Sequence, residues 1–291
     1  MTRRRATTAY LVTLTGLAAW LVADRGPAMI DLMRQARPWP LLGLVAASIF
    51  PFLANTAFWT LALRELGETV TWRDVNRAAT ETTLTRYLPG GIWLAASRSM
   101  ALARRGVGAP ALVAMVGLEV ALATPVALLV GAVLLAGSPN APAWLGWPAA
   151  GLLMVTAALG RPALNGALAW WARRRHQAPP AVLTTAGVGR LALALAAYWV
   201  IFGSVFWAYL QVMDQSASWL AATGGFALSW RIGLFTMVAP QGLGVFEPAF
   251  VAVVGWGVDA LLLVGAFRVV LVLRDLALTA LASMMARRQT G

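Results

Sequence analysis

Six charged residues stand where the surrounding sequence is apolar: Arg98, Glu119, Arg231, Glu247, Arg268 and Asp275. An ionised side chain at the centre of a membrane helix costs about 2.5–3.5 kcal/mol on insertion scales, so such residues persist only when paired, hydrated or useful. The planar fork of arginine binds two phosphate oxygens at once. Carboxylates can hold those forks while no anion is bound and release them when one arrives. The six are therefore expected to converge on one substrate-binding cavity that takes a charged headgroup through a bilayer. A purely structural reading stands beside this one. Arg268 and Asp275, seven apart and so on one helical face, or Glu119 and Arg268, would then be buried pairs that only fix helix packing.

Other chemistry has little to work with. Cysteine is absent and His176 is the only histidine, which leaves no thiolate metal site and no Ser-His-Asp arrangement. His176 follows Arg173-Arg174-Arg175 and reads as part of a solvated charge run. No P-loop, G-x-S-x-G or H-E-x-x-H string occurs. The 11 acidic residues are scattered, so no carboxylate cluster for a divalent metal stands out. No cofactor, metal or catalytic residue is expected.

These residues need elements to position them, and the composition says which. The 291 residues are 60% hydrophobic and 12% charged, about half the charge of an ordinary soluble domain. Long apolar runs recur throughout, so lipid is the natural solvent. The expected fold is an all-α integral membrane protein, a single membrane domain over 1–291. Spans are expected near 6–23, 40–63, 110–136, 144–160, 187–213 and 259–285. The first reads as a retained helix, because no A-x-A-like cleavage site follows it.

Two further stretches, 72–105 and 217–250, are broken by Pro/Gly clusters. Pro89, Gly90 and Gly91 interrupt the first; Pro240, Gly242 and Gly244 interrupt the second. Proline removes an N–H and glycine weakens a helix. A re-entrant helix–loop–helix fits better than a continuous span, with its loop enclosed by protein or a wet cavity. In the first stretch, Thr71 and Asp74 make a capping-box-like start. Asn76, Thr80, Thr83 and Tyr87 then fall on one helical face, to line a groove or to lie on an interfacial helix.

The net charge is +12, and every basic residue is arginine. Placing both termini in the cytoplasm puts most of the 23 arginines in inside loops, as the positive-inside rule requires. The 24–37 loop, with Arg25, Arg34 and Arg37, is the exception. No basic stretch in a soluble segment is interleaved with aromatics, so the partner implied is anionic lipid and not nucleic acid. The lysine-free composition points to a GC-rich bacterial genome, and hence to a bacterial inner membrane.

The order span, span, broken segment, span occurs twice, in halves of about 1–143 and 144–291. Pro89-Gly90-Gly91-Ile92 aligns with Pro240-Gln241-Gly242-Leu243 at an offset of about 150 residues. Three crossings per half make this an inverted repeat, the arrangement that places a transporter's substrate at the repeat interface.

Two strings resemble a known family. Arg86-Tyr-Leu-Pro-Gly-Gly-Ile-Trp93 with Arg98, and Ala239-Pro-Gln-Gly-Leu-Gly-Val-Phe-Glu247, look like the signature regions of the lysylphosphatidylglycerol synthase transmembrane-region family, also described as flippase-like. The second resembles the family's P-x-G-[LIV]-G-x-x-E pattern at Pro240, Gly242, Gly244 and Glu247, and departs from it at Gln241. The first matches more loosely, at Pro89, Gly90, Trp93 and Arg98. The resemblance implies lipid translocation or service to lipid-linked glycan pathways. Bifunctional members carry a soluble aminoacyltransferase domain after the membrane part. This chain ends at Arg287-Arg288-Gln-Thr-Gly and is expected not to aminoacylate lipid itself.

Three functions fit. The first is a flippase or transporter for a phospholipid or polyprenyl-phosphate-linked headgroup. The second is an intramembrane transferase with Glu247 or Glu119 as general base. The third is a non-catalytic partner of a glycosyltransferase. Membrane lipid is the expected ligand; a glycosyltransferase or a second copy of the chain is the protein partner considered.

Overall fold

In a computed structural model, the residues described are 26–34, 36–88, 92–138, 146–176, 181–235, 244–257 and 260–290. They are helical, with no strand among them. A helix over 26–34 (α1) is followed by α2 (Pro38–Ala47) and α3 (Ile49–Glu65). Pro51 cannot donate to the carbonyl four residues back, and the helix parts at Ser48. The Ser48 hydroxyl turns inward to the Val45 carbonyl at 2.6 Å. At the far end of α3, Gly67 at φ +93° closes a Schellman turn. Its N–H donates to the Arg64 carbonyl, and that of Glu68 to the Leu63 carbonyl.

Next come α4 (Trp72–Glu81), the 3-10 helix η1 (Thr83–Tyr87) and α5 (Trp93–Ala103). Thr71 caps α4 as expected, accepting from the Asp74 N–H at 3.2 Å. The long α6 (Ala109–Ala136) and α7 (Gly146–Arg174) come next, then α8 (Thr185–Val212). It is followed by α9 (Trp219–Phe235), α10 (Phe246–Val254) and α11 (Ala260–Thr290).

Among the described residues, three helical stretches are long and apolar enough to cross a membrane, Pro38–Glu65, Ala109–Ala136 and Thr185–Val212. They coincide with three of the expected spans. The region expected as a span at 144–160 belongs to α7, which runs on to Arg174, and 259–285 belongs to α11, which carries Arg268, Arg274 and Asp275. The span expected at 6–23 lies outside the described residues.

Described helices end on either side of both Pro/Gly clusters. Leu88 is extended (φ −71°, ψ 137°) between η1 and α5, and α9 and α10 are separate helices on either side of 236–243. Pro89, Gly90, Gly91, Pro240 and Gly242 lie outside the described residues. Gly244 has φ +82°, in the left-handed region that favours glycine.

Glycines let the long helices touch. A Cβ on Gly224 of α9 would sit 2.9 Å from the Gly131 carbonyl oxygen of α6, and one on Gly203 of α8 would sit 2.9 Å from the Thr223 Cα of α9. Backbones can approach this closely only where side chains are absent, the usual way membrane helices associate. Beside these crossings, Phe202, Phe206, Phe226, Phe246, Phe250 and Phe267 pack ring to ring, many edge-to-face. They weld α8, α9, α10 and α11 into the core.

Candidate functional site

A cavity of about 290 Å³ opens between α3, η1, α5, α6, α8, α9 and α11. Its walls are largely aromatic and aliphatic, with Phe52, Trp59, Trp199, Phe202 and Trp230 among them. Into this apolar setting come Arg86, Arg98, Arg231 and Arg274, together with Glu119, Asn55 and Tyr198.

Arg98 is buried, at 2% exposure. Its Nη1 donates to Asn55 Oδ1 at 2.7 Å, and its guanidinium carbon lies 4.8 Å from the centre of the Trp59 ring. Asn55 Nδ2 in turn donates to Glu119 Oε1 at 3.2 Å. The amide therefore links a cation on α5 to a carboxylate on α6. Arg98 Nε has no hydrogen-bond partner among the described residues. Arg231 is held more loosely: its guanidinium stands 5.8 Å from the centre of the Trp199 ring, within cation–π range. Its Nε also lacks a partner among the described residues.

The other two arginines are anchored from behind by Asp275, which is fully buried. Asp275 Oδ1 accepts from Arg274 Nε at 2.8 Å, and Oδ2 lies 3.5 Å from Arg86 Nε. The Tyr87 hydroxyl donates to Oδ2 at 2.8 Å and the Thr83 hydroxyl to Oδ1 at 3.4 Å. Arg274 Nη1 also donates to the Ser48 carbonyl at 3.1 Å, at the break between α2 and α3. One carboxylate on α11 thus ties the first broken segment to α11 and to the α2–α3 kink.

Glu247 and Arg268 form a third arrangement. Arg268 Nε donates to Glu247 Oε1 at 2.8 Å, while Glu247 Oε2 accepts from the Gly244 N–H at 2.8 Å. The carboxylate thereby closes the turn that starts α10. The Arg268 guanidinium lies 5.6 Å from the centres of both the Trp230 and the Phe246 rings. Since Trp230 lines the cavity, this pair sits one aromatic layer behind it.

Of the six residues singled out in the sequence, Arg98, Glu119 and Arg231 line the cavity. Asp275 supports it through Arg86 and Arg274, and Glu247 and Arg268 support it through Trp230. The pairs proposed for a purely structural role form otherwise: Arg268 meets Glu247, not Asp275 or Glu119, because α10 lies along α11. The Asn76–Tyr87 stripe does not line the cavity. Thr83 and Tyr87 turn to Asp275 instead, and the Thr80 hydroxyl returns to the Asn76 carbonyl. Arg274 and Arg86 were not among the six, and neither were Asn55 and Tyr198. Asn55 and Tyr198 carried the weaker signal of a neutral polar group in an apolar helix.

A match to the family model described as lysylphosphatidylglycerol synthase TM region extends over residues 8–283. The chain belongs to this family. No curated protein matches it. Family membership and the apolar helices together make it a multi-pass membrane protein with a lipid-related role.

Proposed function

We propose that the protein is a flippase: it moves a lipid with a phosphate-bearing headgroup between the leaflets of a bacterial inner membrane, with both termini in the cytoplasm. The observation that carries this reading is the cavity itself. Four guanidiniums are gathered against two carboxylates within aromatic walls. Unbalanced buried cations are costly, and an anion offsets them. A headgroup phosphate supplies the charge while the walls suit the glycerol and upper acyl region.

The order of elements favours an inverted repeat around this site. The helix pair α2–α3 followed by α4–η1–α5 and α6 has its counterpart in α8 followed by α9–α10 and α11. Contacts cross between the halves in a reciprocal way: α6 packs on α9, α11 packs on α4 and η1, and α3 packs on α8. The cavity draws residues from both halves, as expected of a site at a repeat interface.

The transferase alternative draws less support. A general base must be free to take a proton, whereas both Glu247 oxygens are engaged by Arg268 and Gly244. Glu119, the other candidate base, already accepts from the Asn55 amide. Proteoliposomes containing the protein should translocate a fluorescent phospholipid faster than empty liposomes do. Equal rates for labelled phospholipid and labelled polyprenyl phosphate alike, with and without protein, would contradict the flippase reading.

A further inference from the structure

We infer that the anion this cavity takes is a phosphomonoester on an apolar chain, a terminal phosphate carrying close to two charges, in preference to a phosphodiester. The inference rests on the proposed lipid-phosphate reading and narrows its substrate class.

The charge balance carries the inference. Arg86, Arg98, Arg231 and Arg274 face the cavity. Against them stand Glu119, in the wall, and Asp275, bound to Arg86 and Arg274. Glu247 and Arg268 cancel each other behind Trp230. Among the described residues the surplus is two positive charges. A phosphodiester brings one negative charge. A phosphomonoester, with its second pKa near 6, brings about 1.5 to 2 at neutral pH. Of the two, the monoester balances the site.

The donor pattern agrees. Asp275 engages Arg86 and Arg274, and so fixes them as a background field. Arg98 and Arg231 form no direct ion pair among the described residues, and each has a buried Nε without a partner there. Two guanidiniums with unused N–H groups match the three terminal oxygens of a monoester better than the two non-bridging oxygens of a diester. The aromatic and aliphatic walls select a phosphate carried on a hydrocarbon chain over free phosphate.

Binding to the full chain in an uncharged detergent tests this, with the quenching of cavity tryptophans as the readout. The probes are hexadecyl phosphate at pH 8, its methyl diester, a neutral hexadecyl glycoside and inorganic phosphate. Hexadecyl phosphate should bind on the order of tenfold more tightly than the diester. Equal affinity, or a tighter diester, overturns the monoester inference and leaves the lipid-phosphate reading standing. If both alkyl phosphates bind no better than the neutral glycoside, the lipid-phosphate reading fails as well. Inorganic phosphate binding as tightly as hexadecyl phosphate would show a free anion to be the ligand.

Two variants change the surplus in opposite directions. Arg231→Gln lowers it to one charge and should bring the monoester and the diester to similar affinity. Glu119→Gln keeps an amide beside Asn55, raises the surplus to three and should widen the monoester preference. Both must retain wild-type helicity and elution. A preference that stays unchanged in both folded variants overturns the inference.

Discussion

Arg98 and Glu119 meet through an intermediary: the Asn55 side chain accepts from Arg98 at 2.7 Å and donates to Glu119 at 3.2 Å. The cation is therefore steadied without being neutralised at contact distance. Asn55→Leu should break this link while preserving helix propensity and bulk. Labelled-lipid translocation should fall at least severalfold. The cost in thermal stability should be about 1–3 kcal/mol, that of leaving buried partners unsatisfied. Wild-type translocation by a folded Asn55→Leu protein would show that the link has no part in transport.

Asp275 makes the opposite prediction, one mainly about folding. It is fully buried and holds Arg274 at 2.7 Å and Arg86 at 3.5 Å. Asp275→Asn leaves two guanidiniums without their counter-charge and should destabilise the protein by about 3–5 kcal/mol. Asp31→Asn, at the exposed pair with Arg34, should cost about 0–1 kcal/mol. Thermal denaturation in detergent compares the two, and similar melting temperatures would contradict the role given to Asp275.

The helix crossings supply a third prediction. Gly224→Ala places a methyl group 2.9 Å from the Gly131 carbonyl oxygen and 3.0 Å from the Leu135 nitrogen. Both are backbone atoms of α6, so the helices must separate, at about 1–3 kcal/mol. Gly117→Ala meets nothing within 4 Å and should be neutral or stabilising by up to about 1 kcal/mol. Equal melting temperatures for the two variants would rule out close α6–α9 packing.

Much of this site can be read from the residues alone, and the part that cannot has a physical cause. Charge in apolar sequence is conspicuous because its cost is large, which is why Arg98, Glu119 and Arg231 stand out. Gly244, in the left-handed region at φ +82° just before α10, is legible for the same reason that any glycine turn is: backbone chemistry is local. Partner choice is not local. Asp275 binds Arg86 and Tyr87, the latter 188 residues away, and Glu247 rather than Asp275 takes Arg268. Periodicity on α11 offered Arg268–Asp275, but it cannot see α10 lying alongside. Asn55 and Tyr198 are quieter still. A lone amide among apolar residues follows the same cost argument with a smaller penalty, and its importance appears only when Arg98 and Glu119 arrive on either side.

Topology can be tested without removing any native thiol, because the chain has no cysteine. If the halves are inverted and both termini are cytoplasmic, Ser138→Cys should react with an impermeant maleimide added to whole cells. Thr290→Cys should react only after permeabilisation. Labelling of Thr290→Cys in intact cells would contradict the inverted arrangement.

The flippase reading is tested most directly by translocation of a fluorescent phospholipid and a fluorescent polyprenyl phosphate in proteoliposomes, scored as the fraction quenched by an impermeant reductant over time. The wild-type protein should accelerate at least one of them over empty liposomes. Arg98→Gln with Arg231→Gln should return the rate to that background. Arg174→Ala, whose guanidinium stacks on Trp170 outside the cavity at 4.6 Å, should keep the wild-type rate. A wild-type rate equal to background for both lipids, or a folded double variant as fast as wild type, would contradict the claim that this cavity carries lipid across the membrane.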